Sequence, residues 1–92
     1  LDGPDLVEFT ERVLAMSGKE YLRVFAESPL SRPGRKGILR NLCVALGNYG
    51  ATSREAAKRV RPLLERAAED QSEVVCEHAQ WALSFVGRGR PS

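Results

Sequence analysis

The chain has 92 residues, with 14 lysines and arginines against 12 aspartates and glutamates, so its net charge is only +2. This length holds one domain and excludes a second core. No apolar run approaches the ~20 residues of a membrane span, and no signal-peptide pattern is present, so we expect a cytoplasmic protein. The start at Leu1 rather than Met and the polar end of the chain lead us to expect a piece of a longer protein, with processing of a short precursor as the alternative.

Periodic apolar residues predict five helices and no strand, which defines an all-α fold. A first helix begins near Pro4, where proline suits the first turn. Ser17, with Glu20 three residues later, forms a capping box that begins a second helix. In order, we divide the chain into lead-in helices (1–27), a basic loop with the first inner helix (28–50), a second helix pair (52–87) and a flexible tail (88–92).

An internal repeat of 37 residues relates the third helix to the fifth. Ala45 matches Ala82 and Leu46 matches Leu83. Two related inner helices separated by a connecting helix are typical of a helical-repeat protein. We therefore predict a short HEAT-like repeat of about five helices, wound as a right-handed α-α superhelix.

Turn and capping residues predict two further boundaries. Gly47 and Gly50 are expected to end the third helix. Thr52 with Glu55 forms a capping box that begins the fourth helix. Pro62 lies inside the apolar pattern of the fourth helix and is expected to kink it.

Positive charge is concentrated in one part of the sequence. Between Glu27 and Glu55 there is no acidic residue at all. The basic candidates in this window and in the fourth helix are Arg32, Arg35, Lys36, Arg40, Arg54, Lys58 and Arg61. A basic loop that leads into the amino end of a helix suits phosphate, because free N–H groups and the helix dipole add to the side-chain charges. A solvated charged surface is the alternative interpretation.

The aromatic content of this window decides which kind of nucleic-acid recognition it favours. Only Tyr49 is interleaved with the basic residues, which supports base stacking poorly. Recognition of a structured RNA through its shape and phosphates is the better match.

The two repeat copies differ in charge along the same line. Lys36 and Arg40 of the third helix correspond to Glu73 and Glu77 of the fifth. This line is expected to face solvent in both copies. An anionic partner is therefore expected to engage the first copy.

The fifth helix has a second apolar row, formed by Val74, His78, Trp81 and Phe85. This row packs either in the remainder of the core or against a partner surface. His78 is the only histidine, and its alternatives are a structural role or a role in an interface or in proton transfer.

No constellation typical of catalysis is present. Cys43 and Cys76 are far from CxxC spacing and are expected to be reduced thiols rather than a disulfide or a metal site. Asp70 is interpreted as a helix-start or surface carboxylate. We expect no catalysis from this segment alone.

The segment SPLSRPGRKGILRNLCVALGN (28–48) resembles the one that opens the C-terminal HEAT-like region of bacterial epoxyqueuosine reductases. Those enzymes carry a Ser-Pro, a basic cluster, then Gly-x-Leu-Arg-Asn and Ala-Leu-Gly-Asn. SEVVCEHAQWALSFVG (72–87) is similar to their second repeat, and LDGPDLVEF (1–9) resembles the lead-in after their ferredoxin-like region. The likeness covers nearly the whole chain.

This resemblance implies a non-catalytic domain of a reductase that converts epoxyqueuosine to queuosine in tRNA. Its parent family uses cobalamin and two 4Fe-4S clusters, both in preceding domains, so no cofactor is expected here. The segment would help to hold the tRNA anticodon stem-loop, and Asn41 joins the RNA-binding candidates. Alternatively, Arg40 and Asn41 fasten the repeat to the preceding domains of the parent chain. A second alternative is a protein-interaction repeat that docks a partner domain through the second row of the last helix.

Overall fold

A computed structural model describes residues 2–86, apart from the side chain of Phe85, and this part of the chain is helical without strands. The helices are α1 (Gly3–Leu14), α2 (Gly18–Val24), α3 (Gly34–Gly50), α4 (Arg54–Ala67) and α5 (Glu73–Phe85), with a 3-10 helix at Pro29–Ser31. The predicted five helices and the all-α class are thus confirmed. The predicted tail at 88–92 lies outside the described residues, and the handedness of a superhelix stays a prediction.

Local side-chain caps explain where most of these helices begin. The Ser17 hydroxyl accepts the backbone N–H of Glu20 at 3.0 Å, so the predicted start of α2 is confirmed. In the same way, Asp2 accepts an N–H of the first turn of α1, and Ser72 does so for α5. Each cap satisfies a backbone donor that the helix itself leaves unpaired.

The predicted start of α4 is wrong by one residue. Ser53, not Thr52, is the N-cap, and its hydroxyl accepts the N–H of Ala56 at 3.0 Å. The Thr52 hydroxyl instead donates to the carbonyl oxygen of Tyr49 at 2.7 Å, which ties it to the end of α3. From this start α4 continues through Pro62, whose ring is exposed, and the expected kink stays a prediction.

The prediction that Gly47 and Gly50 end the third helix is wrong for Gly47 only, because Gly50 is the last residue of α3. Both glycines are buried helical residues of α3, and Ala51 follows in the right-handed region with φ −82°. A Cβ at Gly50 would stand only 2.6 Å from Cγ2 of Val60 and 3.0 Å from Cγ2 of Val86. Position 50 therefore requires glycine because three helices approach one another there.

α3 is the central helix and packs against α1, α2, α4 and α5. Arg35 at its start hydrogen-bonds to the carbonyl of Met16, just beyond the end of α1. Gly50 at its other end lies against Val60 of α4 and Val86 at the end of α5. Accordingly α1 and α4 run antiparallel to α3, and α5 runs parallel to it. α1 and α4 form one layer, while α3 and α5 form the other.

The core lies between these two layers. Its fully buried side chains include Val13, Tyr21, Leu39, Leu46, Val60, Leu64, Val75, Ala79 and Ala82. They come from every α-helix, so each helix contributes its apolar face to a single cluster. Each large aliphatic side chain removed from water contributes roughly 1.5–3 kcal/mol toward folding.

The two cysteines are free thiols with different environments. Burial, and secondarily the nearby Asp70 charge, raises the pKa of Cys43 to about 11. Cys76 is only partly buried, and its thiol donates to the carbonyl of Ala68. Because the thiolate is the reactive form, these environments predict unequal reactivity.

We expect iodoacetamide at pH 8 to alkylate Cys76 first in the folded protein. A pKa of about 11 lowers the thiolate fraction of Cys43 about 100-fold relative to a thiol of pKa 9.0, and burial blocks access as well. Mass spectrometry of timed samples measures both rates, and Cys76→Ser should leave the native protein almost unlabelled. Fast labelling of Cys43 in that variant would contradict the buried position.

Candidate nucleic-acid interface

The amino end of α3 differs from those of the other α-helices in residues 2–86. Its N-cap is Pro33, which offers no side-chain hydrogen bond, and its first turn has no acidic residue. The other α-helices have a side-chain cap and an acidic residue in the first turn. Gly34 has φ +71°, and the space where a Cβ would stand is open. Neither a side-chain cap nor an acidic residue of the first turn therefore occupies the first N–H groups of α3.

Exposed cations surround this end of α3. Arg32 immediately precedes it, and Lys36 and Arg40 lie one turn apart along it, with Asn41 beside them. All four side chains are exposed. Within the described part of the chain, no carboxylate forms an ion pair with Arg32, Lys36 or Arg40. Their charges are therefore available to an anionic partner.

Arg35 has a different role from its neighbours. Its guanidinium contacts both carboxylate oxygens of Asp70, at 2.8 and 3.3 Å, and its Nε donates to the Met16 carbonyl at 2.7 Å. The Arg35 and Asp70 side chains are only 18% and 9% exposed. Asp70 also accepts the N–H of Ser72, the N-cap of α5, which agrees with a helix-start role. It is not a surface carboxylate, because Arg35 and the surrounding chain cover it. Arg35 thus connects the start of α3 with the end of α1 and with the turn that precedes α5.

The basic residues of α4 form a second, separate group. Arg54 and Lys58 are exposed, whereas Arg61 donates from Nη2 to the Val86 carbonyl at 3.2 Å. Because α4 runs antiparallel to α3 and Val60 lies against Gly50, Arg54 lies beyond the end of α3. At 1.5 Å per residue, that end is already about 20 Å from Lys36 along the helix axis. The structure therefore does not bring the two basic groups together.

A groove lies between α3 and α5, next to the exposed cations of α3. It has a volume of about 470 Å³ and is lined by Val44 of α3 and by Glu77, His78 and Trp81 of α5. Val44 and Trp81 are 37 residues apart, so the repeat places them opposite each other. Val44 is also one helical turn beyond Arg40 on the exposed side of α3.

Val74 and Trp81 of the second row of α5 are not part of the core. Val74 is 36% exposed and Trp81 is 46% exposed, which leaves a partner surface as the remaining alternative for these two residues. His78 Nδ1 lies 2.8 Å from the Val74 carbonyl, and only a donor can bond to a carbonyl oxygen. The ring of His78 is therefore oriented with Nδ1–H toward its own helix. The side chain of Phe85 lies outside the described residues.

Comparison with known proteins identifies relatives of one kind. The epoxyqueuosine reductase of Alicycliphilus denitrificans is 36% identical over 86 residues, which cover 91% of this chain and 23% of that protein. That of Pseudomonas aeruginosa is 37% identical over 90 residues, 95% of this chain and 22% of that protein. That of Xanthomonas campestris pv. campestris is 36% identical over 76 residues, 83% of this chain and 20% of that protein. The chain is related to the epoxyqueuosine reductases.

The resemblance found in the residues is thereby confirmed, but only for a part of those enzymes. The chain spans about one fifth of the length of the curated epoxyqueuosine reductases it matches. No family model matches it, and no solved structure does. None of the helices between residues 2 and 86 is both long and apolar enough to cross a membrane.

The 4Fe-4S clusters that the reductase family implies do not fit the residues of this chain. A 4Fe-4S cluster requires four cysteine thiolates, and the chain has two cysteines, of which Cys43 is buried. Across residues 2–86, no group of three or more His, Cys, Asp or Glu side chains could hold a metal ion.

The sequence analysis did not predict the groove formed by Val44 and Trp81. The internal repeat indicates it, because an offset of 37 residues places Val44 at the level of Trp81 and Arg40 at the level of Glu77. The neighbouring helix thus places an aromatic side chain next to the basic residues of α3.

Proposed function

We propose that this chain is a tRNA-docking domain, HEAT-like in its architecture, of a cytoplasmic epoxyqueuosine reductase. In this proposal α3 holds the anticodon stem-loop by its phosphates, while other domains of the parent chain reduce epoxyqueuosine to queuosine. The observation that carries the proposal is the amino end of α3, which lacks a side-chain cap and lies among Arg32, Lys36 and Arg40, none of which pairs with a carboxylate in the described residues.

Three kinds of positive potential converge at that place. The first N–H groups of α3 and the helix dipole favour an anion at its amino end. Arg32, Lys36 and Arg40 add three exposed charges along about two turns of backbone. Arg35 is not counted among the contacts, because Asp70 and Met16 already occupy its guanidinium. The position of Asn41 beside Arg40 lets it hydrogen-bond a phosphate or a ribose.

The test is a double charge reversal, Lys36→Glu with Arg40→Glu. We expect it to weaken binding of a tRNA anticodon stem-loop at least about tenfold. The slope of log K against log salt should become less steep by about 1.5, because two phosphate contacts are lost. Fluorescence anisotropy of a labelled stem-loop at several salt concentrations measures both quantities.

The chain supplies a matched control in Arg54→Glu with Lys58→Glu. This variant makes the same change in net charge at exposed positions, about 20 Å away along the helix axis. Acidic residues near the amino end of a helix are favourable, so α4 should keep its structure. We expect a much smaller loss and an almost unchanged salt slope. Equal losses in the two variants would show that net charge, rather than the α3 surface, governs binding.

The second candidate function is the docking of a partner domain through Val74, His78 and Trp81. The exposure of Val74 and Trp81 on one side of α5 favours it, because an exposed apolar row rimmed by polar residues is typical of an interaction site. Preceding domains of the parent chain are the natural partner in this proposal. It predicts that replacing Trp81 weakens domain docking and leaves the salt slope of RNA binding unchanged.

A further inference from the structure

We propose that the groove between α3 and α5 receives one unpaired guanine base of the RNA whose phosphates α3 holds. This inference rests on the proposed function and adds a base-specific contact to it. The groove has about 470 Å³ and is lined by Val44, Glu77, His78 and Trp81. Its volume falls within the roughly 300–1,000 Å³ usual for small-molecule sites.

The walls of the groove suit a flat ring. Trp81 is 46% exposed and offers an indole surface, while Val44 on the facing helix is 37% exposed and apolar. Stacking on an aromatic side chain is the commonest way for proteins to hold an unpaired base. A base in this position would cover both apolar side chains at once.

The polar atoms of the groove determine which hydrogen-bonding groups the bound base must present. The Glu77 carboxylate is an acceptor when ionised. Nδ1 of His78 lies 2.8 Å from the Val74 carbonyl oxygen, so Nε2 is the ring nitrogen left for a ligand. The two carboxylate oxygens of Glu77 therefore favour a ligand that presents N–H donors. Guanine presents two adjacent ones, N1–H and N2–H, which match the two oxygens of a carboxylate, whereas uracil presents one N–H between two carbonyl oxygens.

The neighbouring charges distinguish a base from the other flat donor, an arginine side chain of a protein partner. A guanidinium would also stack on Trp81 and pair with Glu77. However, Arg40 lies one turn from Val44, and Lys36 one turn further, and neither has a carboxylate partner in the described chain. These cations repel a guanidinium and attract the phosphate that accompanies a nucleotide. The combination of an acceptor groove with a cationic border favours the nucleotide.

Trp81 is the only tryptophan of the chain, so its fluorescence reports directly on the groove. The probes are two labelled RNA hairpins, one with a single guanosine in an otherwise uridine loop and one with uridine at that position. Anisotropy of the label follows binding, and Trp81 emission is recorded in the same titration. We expect the guanosine hairpin to bind about tenfold more tightly and to quench Trp81 in parallel with binding.

Two variants separate the roles of the groove residues. Glu77→Gln should reduce the guanosine preference from about tenfold to about twofold, because an amide has only one acceptor oxygen. Trp81→Leu should remove about tenfold of the affinity for the guanosine hairpin. Glu73→Gln is the matched control, since Glu73 is exposed one turn earlier on α5 and does not line the groove. It should keep the full preference.

Each result bears on the proposal in a defined way. If both hairpins bind equally without a change in Trp81 emission, and the Lys36→Glu, Arg40→Glu variant still loses binding, the groove proposal is wrong and tRNA docking stands. If neither hairpin binds at low salt, both proposals fall. If an arginine-containing peptide quenches Trp81 more strongly than the guanosine hairpin does, the groove belongs to a protein interface and the guanine proposal is overturned.

Discussion

Replacing Arg35 with methionine is expected to lower the free energy of unfolding by about 3 kcal/mol, a large part of the stability of a domain of this size. The change leaves the Asp70 carboxylate, 9% exposed, without its charged partner, and leaves the Met16 carbonyl without the Arg35 donor. Methionine keeps much of the apolar stem, so the loss reports mainly on the ion pair and its hydrogen bonds. Urea unfolding followed by circular dichroism at pH 7 gives the difference.

A second variant tests whether the loss comes from the unpaired carboxylate. Arg35→Met combined with Asp70→Asn removes both charges, and the asparagine oxygen can still accept the N–H of Ser72. Because no charge is then left buried, we expect the double variant to be more stable than Arg35→Met alone. A double variant that is less stable by the full sum of the single losses would contradict this account.

The pH dependence of stability gives an independent readout of the same pair. Burial by itself would raise the pKa of Asp70, but the hydrogen bonds from Arg35 and Ser72, together with the Arg35 charge, outweigh it and hold the pKa below its usual value. An aspartate whose pKa is lower in the folded state adds stability above the unfolded-state pKa of about 3.9. That stability is lost as the pH falls through the folded-state pKa. Asp70→Asn should therefore flatten the decline in stability below about pH 5.

The same pair shows why the acid-free window was an incomplete guide to the site. Between Glu27 and Glu55 there is no carboxylate, so the sequence does not distinguish Arg35 from the other basic residues as a ligand for phosphate. Asp70 is 35 positions further along, and only the antiparallel return of α4 brings it to the start of α3. Periodicity within one helix carries no information about such a contact.

The helices were predictable because their signals are local. Apolar spacing and the Ser17 cap are read within a few residues, and the structure confirms both. Thr52 and Ser53 are both good caps, and the choice between them depends on the hydroxyl of Thr52 finding the Tyr49 carbonyl. The internal repeat carries longer-range information, because it places residues of α3 and α5 at the same level. The offset of 37 residues therefore pairs Val44 with Trp81, whereas the periodicity of a single helix does not indicate their groove.

Gly50 is the clearest case of a residue whose role depends on distant neighbours. Glycine near the end of a helix usually indicates a left-handed C-cap. Here Gly50 is helical, and its missing side chain lets α3 approach Val60 of α4 and Val86 beyond α5. The separation in sequence between these residues hides the close approach. This contact supports a prediction of comparable size to that for Arg35.

Gly50→Ala is expected to lower the free energy of unfolding by about 1–3 kcal/mol, although alanine is the better helix former. The added methyl would meet Cγ2 of Val60 at 2.6 Å, and a β-branched side chain has little freedom to move away. Chemical denaturation of the variant measures the loss. Gly18→Ala is a suitable control, because α2 has open space at that position and should be unaffected or slightly stabilised.

A double-mutant cycle shows whether the clash with Val60 is the cause. Val60→Ala alone removes a fully buried side chain and should cost about 2–4 kcal/mol through the cavity it leaves. In the double variant the methyl group added by Gly50→Ala occupies part of that cavity, so the combined loss should be at least about 1 kcal/mol smaller than the sum of the single losses. Strict additivity would mean that the added methyl group is accommodated elsewhere. A favourable coupling would locate the close approach of α3 and α4 at this pair, the contact that fixes how the two layers meet.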